Sequence, residues 1–111
     1  MRAFHYTQVE AEEVKEGARG ATVRWLISAR QGAPNFAMRV FEIAPGGSAP
    51  RHQHAWEHEV FVLAGQGELR GGEAALPLRE GCAAYVAPGE LHQFAAGPGG
   101  MMMICCVPNP K

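Results

Sequence analysis

Short runs of apolar residues alternate with clusters of glycine and proline along the whole chain. Segments rich in Val, Ile, Phe, Trp and Met predict strands at 22–28, 36–43, 58–64, 82–87 and 101–107. The intervening turn signals include Pro45-Gly46-Gly47, Gly65-Gln66-Gly67 and Gly97-Pro98-Gly99-Gly100. They recur at a spacing of roughly eight to twelve residues, which is typical of an antiparallel sandwich or barrel.

Helical periodicity is weak, and only Val9–Glu16 has a pattern compatible with one or two helical turns. A chain of 111 residues fits one domain and leaves little room for a second. We therefore expect a single all-β domain over residues 1–111. Residues 1–20 would form an N-terminal arm or edge strand, and residues 21–108 the barrel.

Composition and charge narrow the set of partners and compartments. The formal net charge is −1 and the basic residues are scattered, which argues against nucleic acid and anionic membrane surfaces as partners. No apolar run has the length of a membrane span, and the first residues contain no apolar signal-peptide core. Cys82, Cys105 and Cys106 show no CxxC spacing, so we expect free thiols and a cytoplasmic location.

Four of the five histidines, His52, His54, His58 and His92, fall in two short stretches. Residues two apart on a strand point to the same face, roughly 6.5–7 Å apart, so the HxH pair can converge on one ion. A bend through residues 55–57 would return His58 to the same centre, and His92 would close the site from a distant strand. This pattern predicts one divalent transition metal, whereas His5 is expected at the surface.

The same stretches carry a family resemblance. Residues 46–67 resemble the first cupin motif, G(x)5HxH(x)4E(x)6G, with its final glycine one place late. Residues 81–92 resemble the second, G(x)5PxG(x)2H(x)3N, although Ala87 and Ala96 replace its proline and asparagine. The resemblance implies a jelly-roll barrel and is closest to short, single-domain bacterial cupins whose metal is bound by four histidines. Such short cupins pair, so we also expect a homodimer, which would cover exposed strand edges.

The identity of the fourth ligand is open at this stage. The general cupin motif implies Glu59, whereas the four-histidine subgroup implies His58. The two residues are neighbours on a strand and face opposite ways, but both strand faces continue with apolar residues, so alternation does not decide. We favour His58 and assign Glu57 or Glu59 to orienting a ligand. Imidazole suits Fe, Ni, Cu and Zn, and tolerates Mn.

The rest of the pocket depends on which side of each strand faces inward. On the last strand, Met102, Ile104 and Cys106 share one face, and Met101, Met103 and Cys105 share the other. If the first set points inward, Cys106 lies near the metal and Ile104 forms part of the cavity wall.

Two further residues are candidates for the pocket. Phe94 is in phase with His92 and is expected to line the barrel. Arg39 lies on an otherwise apolar strand face. An inward Arg39 would hold a substrate carboxylate, but an interface or surface ion pair is the favoured interpretation.

A metal site with open positions inside an apolar cavity indicates a metal-dependent oxygenase or related oxidoreductase of the dioxygenase type. Its substrate would be a small molecule that chelates the metal through two oxygen atoms. A non-catalytic binding or sensing module and a metal-dependent isomerase or lyase are the alternatives.

Overall fold

The computed structural model describes residues 1–109, which form seven strands and two short 3-10 turns. The strands are β1 (Glu12–Glu13), β2 (Arg19–Ile27), β3 (Phe36–Ser48), β4 (His58–Arg70), β5 (Ala75–Arg79), β6 (Ala83–Val86) and β7 (Gln93–Pro108). The 3-10 turns lie at Tyr6–Gln8 and Ala29–Gln31. Val9–Glu16, whose pattern is compatible with one or two helical turns, instead contains β1. Neither helical segment is long enough to cross a lipid bilayer.

All strand pairs are antiparallel, in the order β1-β2-β3-β7-β4-β5, and β6 pairs with the start of β4. The longest strand, β7, lies between β3 and β4 and pairs with both. An isolated bridge joins His52 to His92 beyond the ends of the regular strands. The sheet rolls into a jelly-roll barrel, which confirms the predicted all-β fold.

Three predicted turns are bends inside long strands. The glycine-containing segments at 45–47, 65–67 and 97–100 lie within β3, β4 and β7, where the pairing register shifts. A Cβ atom added at Gly65 would collide with the carbonyl oxygen of Gly100, and one at Gly67 with that of Ala95. Glycine therefore allows two backbones to approach closely while the strand continues. The local sequence does not distinguish this role of glycine from its role in a turn that ends a strand.

The pairing register shows which residues face the barrel interior. Val23, Phe41, Met103 and Val62 are opposite one another across β2, β3, β7 and β4, so their side chains share one face of the sheet. Met103 and Val62 are almost completely buried there. This inner face forms the core and, towards one end of the barrel, gives way to the histidines.

Candidate metal centre

Two backbone hydrogen bonds bring the distant histidine motifs together. The N–H of His52 donates to the carbonyl oxygen of His92 over 3.1 Å, and the N–H of His92 donates to the carbonyl oxygen of His52 over 3.0 Å. His52 lies in the loop after β3, and His92 directly precedes β7. The bridge holds their imidazole rings with centroids 5.0 Å apart.

Hydrogen bonds to backbone carbonyls orient two of the rings. Nδ1 of His92 lies 2.8 Å from the carbonyl oxygen of Glu90, and Nδ1 of His54 lies 3.1 Å from that of Trp56. Because a carbonyl oxygen only accepts, each Nδ1 carries the proton and each Nε2 keeps its lone pair. Stacking on the Trp56 ring, at a centroid distance of 4.4 Å, also restrains His54. Both residues are therefore preorganised to coordinate an ion through Nε2.

His52, His54 and His92 form a cluster that could hold a metal ion. Each offers one ring nitrogen, and these nitrogens all lie within 4.8 Å of one another. Neutral imidazole is a good ligand for Fe, Ni, Cu and Zn, at about 2.0–2.1 Å for zinc. The donor set therefore fits a divalent transition metal, and it does not distinguish among these ions.

His58 adjoins this cluster from the first position of β4. Its ring stacks on that of His54 with centroids 4.3 Å apart, and the two Nε2 atoms are 2.6 Å apart. Because Nε2 of His54 is unprotonated, Nε2 of His58 is the donor in this contact. The residue is only 6% exposed. His58 thus lies beside the cluster, but it is not among the three mutually close residues, and its service as a fourth ligand stays a prediction.

Glu59 lies on the other side of the same strand. His58 shares the inner face with Val60, whereas Glu59 is exposed on the outer face opposite Cys106. Alternation along β4 directs its carboxylate away from the imidazoles. The structure therefore argues against Glu59 both as a ligand and as a pocket residue.

The environment favours the neutral form of three of the site imidazoles. Burial lowers the pKa of His52, His54 and His58, and the positive charge that neighbouring imidazoles carry when protonated lowers each pKa further. The effect is largest for His58, whose pKa falls to about 3. Metal ions bind unprotonated imidazole, so at neutral pH these three rings need not lose a proton before coordination.

Cys105 is a site residue that sequence reasoning missed. Its Sγ atom lies 3.2 Å from Nδ1 of His58 and accepts a hydrogen bond of 3.1 Å from Nη2 of Arg39. Burial raises the pKa of this thiol, so it stays protonated. A thiol donates weakly and its sulfur accepts weakly, so Cys105 can pair with either tautomer of His58.

The assignment of Ile104 and Cys106 to the pocket is therefore wrong. Cys105 pairs with Arg39 on β3 and with Val60 on β4, which places it on the inner face, whereas Ile104 and Cys106 are half-buried on the outer face. Every residue from 101 to 107 is apolar or cysteine, so the strand has no polar side to reveal its phase. Only the register with neighbouring strands carried that information.

A cavity of about 40 Å³ adjoins the histidines. It is lined by Arg39, Phe41, Ala49, Pro50, His52, His58, His92, Phe94, Met103 and Cys105. Phe94 is buried and packs edge-on to His92, with ring centroids 6.0 Å apart. The volume is suited to an ion with a small ligand group, so the bulk of any larger substrate would lie outside it.

Arg39 faces inward, and the surface ion pair that the sequence favoured is not formed within residues 1–109. Its guanidinium carbon lies 5.0 Å from the ring centroid of Trp25 and 4.9 Å from that of Phe41. Within residues 1–109, the ion pairs involve other arginines, Arg24 with Glu42 and Arg70 with Glu68. The pairing of β2, β3 and β7 places Trp25, Arg39 and Cys105 in one row on the inner face, and this explains the inward position.

Comparison with known proteins agrees with this architecture. The chain is similar to the polyketide cyclase RemF from Streptomyces resistomycificus, with 38% identity, a TM-score of 0.92, and alignment over 99% of this chain and 80% of that one. It is also similar to a cupin-2 domain from Rhodospirillum rubrum, with 24% identity, a TM-score of 0.85 and coverage of 99% and 76%. An ectoine synthase from P. lautus shares 19% identity at a TM-score of 0.82, with coverage of 100% and 80%.

The last two likenesses, below 25% identity, bear on the fold alone. A comparison with curated protein sequences gives no significant match. The model of the Cupin_2 family, described as a cupin domain, matches residues 39–107, a range that includes His52, His54, His58 and His92. With its jelly-roll barrel and converging histidine motifs, this chain belongs to the cupin family.

Proposed function

We propose that this protein is a metal-dependent cyclase that acts on a linear poly-β-ketone. The observation that carries the proposal is 38% identity to a polyketide cyclase over 99% of this chain, at a TM-score of 0.92. The histidine cluster and its adjoining cavity supply a compatible site. The proposal replaces oxygen chemistry, which the sequence favoured, with a reaction that consumes no oxidant.

The reaction would be an intramolecular aldol addition followed by loss of water. A carbon between two carbonyl groups loses a proton and forms a C–C bond to a distant ketone carbon, whose oxygen gains a proton. That hydroxyl group then leaves as water together with the second proton of the carbon that formed the new bond, and a C=C bond conjugated with the carbonyl groups results. A divalent ion held by the histidines would polarise the chelated carbonyl oxygens and acidify the C–H group between them.

The protein's own residues would bind the ion and position the substrate. His52, His54 and His92 would hold the ion through neutral nitrogens, and we include His58 as the fourth ligand because it lies against His54. Four neutral ligands leave the full ionic charge to act on the substrate, whereas a carboxylate ligand would offset part of it. Phe94 and Met103 would exclude water beside the reacting group, because both are buried in the cavity wall.

A synthetic poly-β-ketone thioester tests the proposal. Protein loaded in turn with Mn, Fe, Ni, Cu or Zn is incubated with this substrate under anaerobic conditions. The products are identified by mass spectrometry. We expect one cyclic product, lighter than the substrate by one water, at a rate well above the spontaneous reaction. Chelator-treated protein and His92→Ala should lose the acceleration, and Glu59→Gln should keep it. Product profiles identical to the protein-free mixture with every metal would refute the proposal.

A dioxygenase-type oxidoreductase is the second candidate, because a site built from histidines with open positions also suits dioxygen chemistry. Repeating the assay in air separates the two candidates, since an oxygenase turns over only in air and incorporates oxygen atoms. A small-molecule sensor would bind a chelating diketone without turning it over.

A further inference from the structure

We propose that Arg39, held between Trp25 and Phe41, forms a subsite for an anionic oxygen of the substrate, as an enolate or a carboxylate, next to the metal centre. We call these three residues the Arg39 subsite. The inference deepens the proposed function by adding a charged group to the substrate class. It rests on geometry, on an unsatisfied hydrogen-bond donor and on the charge of the cavity.

The geometry fixes the guanidinium beside the histidines. Its carbon atom lies about equally far from two aromatic ring centroids, 5.0 Å from Trp25 and 4.9 Å from Phe41. Nη2 donates to the sulfur atom of Cys105, and this atom also contacts the ring of His58. The Cys105 sulfur therefore links the guanidinium to the imidazole of His58. A cation held by two ring faces loses little further freedom when it binds a ligand.

Arg39 has donor capacity that the described protein does not use. Its Nε atom is buried and has no hydrogen-bond partner within residues 1–109. Most buried polar groups in native proteins are paired, and an unpaired donor on a charged group is especially unfavourable. Such a donor at the wall of a cavity is explained if a ligand supplies the acceptor. Oxygen anions are the acceptors that guanidinium groups bind most strongly.

The charge of the cavity points to the same class of ligand. Its lining contains Arg39 and three histidines but no aspartate or glutamate. Arginine stays protonated in proteins, so a divalent ion bound nearby would add to an uncompensated positive charge. A neutral diketone leaves that charge in place, whereas an anionic oxygen offsets it. We therefore infer that the preferred substrate carries an anionic oxygen beyond the pair that chelates the ion.

Two probes that differ in one charge test the inference. 3,5-Dioxohexanoate and its methyl ester share the diketone, and only the acid carries a carboxylate. Binding of each to the zinc-loaded protein is measured by calorimetry, so no turnover is needed. We expect the acid to bind at least about tenfold more tightly, as for one added charge-assisted hydrogen bond. In Arg39→Gln this preference should fall below about threefold, with little change for the ester.

Two further variants separate the role of Arg39 from folding and from net charge. Arg30 also lies over Trp25, at 5.7 Å, but is exposed and outside the cavity, so Arg30→Gln should keep the preference. Arg39→Lys keeps the charge without the planar fork and should lose part of the preference while binding one zinc ion. It serves in place of Arg39→Gln if the latter does not fold, as judged by thermal unfolding and zinc content.

Equal affinities for acid and ester in the wild type would overturn the inference, because the subsite then has no charge preference. A full preference in Arg39→Gln, or in Arg39→Lys where that variant stands in for it, would also overturn it, because the ion alone would then select the acid. The cyclisation assay is independent of both results. A protein that prefers the acid through Arg39 but cyclises no poly-β-ketone would refute the proposed function and leave the subsite standing.

Discussion

At the scale of single residues, the choice between His58 and Glu59 illustrates how one strand position decides the chemistry. The two residues are adjacent, yet one is buried among the imidazoles and the other is exposed on the outer face. A shift of the strand by one residue would exchange a neutral nitrogen for a carboxylate at the site.

The first prediction concerns this pair. His58→Ala should weaken zinc binding by about 10–100-fold or more, because it removes a neutral donor that lies against His54. Glu59→Gln should leave zinc affinity unchanged, because its side chain is on the opposite face. Competition with a chromophoric chelator measures both affinities. Equal losses in the two variants would contradict the assignment of faces.

The second prediction concerns Cys105. Cys105→Ala leaves Nδ1 of His58 without its partner, so we expect zinc affinity to fall by about tenfold, as for other residues that orient a metal ligand. Cys105→Ser keeps a group that can both donate and accept, and should restore most of the affinity. Cys106→Ala is the matched control on the outer face and should have no effect. A loss in Cys106→Ala equal to that in Cys105→Ala would show that the effect is not local to His58.

The third prediction follows from the lowered histidine pKa values in the metal-free protein. Unfolded histidine titrates near 6.5, whereas His58 in the folded chain titrates at about 3. Between these values the unfolded chain binds more protons than the folded one, so stability should fall as the pH is lowered through this window. His58 alone contributes up to about 2 kcal/mol of this loss between pH 7 and pH 5.

Urea denaturation of chelator-treated protein at pH 7 and pH 5 measures the effect. His58→Gln removes the titrating group, so the loss of stability between the two pH values should be smaller in this variant. His52 and His54 shift in the same direction and should account for part of what remains. A stability that is independent of pH in the wild type would contradict the burial of neutral imidazole.

At the scale of whole elements, the long bent strands β3, β4 and β7 hold the barrel together. Each passes a glycine-containing segment without ending, and β7 pairs with β3 and β4 on either side of its bend. Prediction from sequence located these segments correctly but interpreted them as turns. Glycine supports both structures, and only the partner strand decides between them.

The fourth prediction tests this role of glycine. Gly67→Ala should destabilise the protein by about 1–3 kcal/mol, because the added Cβ meets the carbonyl oxygen of Ala95 on β7. Gly72→Ala is the control, since no atom lies within 4 Å of a Cβ built there. Thermal or chemical unfolding of both variants measures the difference. Equal stabilities would show that the two strands can separate at the bend without loss.

At the scale of the whole molecule, an apolar patch lies on part of the outer face of the sheet, around the exposed Glu59. It crosses four paired strands, from Met38 on β3 through Ile104 and Cys106 on β7 to Phe61 on β4 and Tyr85 on β6. Phe61 is 47% exposed and Tyr85 57% exposed. Exposed apolar side chains that cluster on one face often mark interaction sites on proteins. The homodimer expected from the sequence stays a prediction, and this patch is the surface on which we would place it.

The fifth prediction tests that interface. Light scattering coupled to size-exclusion chromatography should give the mass of a dimer for the wild type. Phe61→Glu should give a monomer that remains folded, because the ring is half exposed and a buried carboxylate opposes association. Phe61→Tyr keeps the apolar ring and should remain dimeric. A monomeric wild type, or a dimeric Phe61→Glu protein, would remove this face as the interface.

The sequence by itself determined the all-β class, the histidines that converge and the family, because turn residues and the HxH spacing act locally. Tertiary structure decided which face of each strand points inward. It placed Cys105 and Arg39 at the site and Glu59, Ile104 and Cys106 on the outer face. The physical reason is that residues 60–64 of β4 and residues 101–107 of β7 are apolar or cysteine on both faces, so side-chain alternation there shows no preference for either face. Pairing with the neighbouring strands decides which of the two faces points inward.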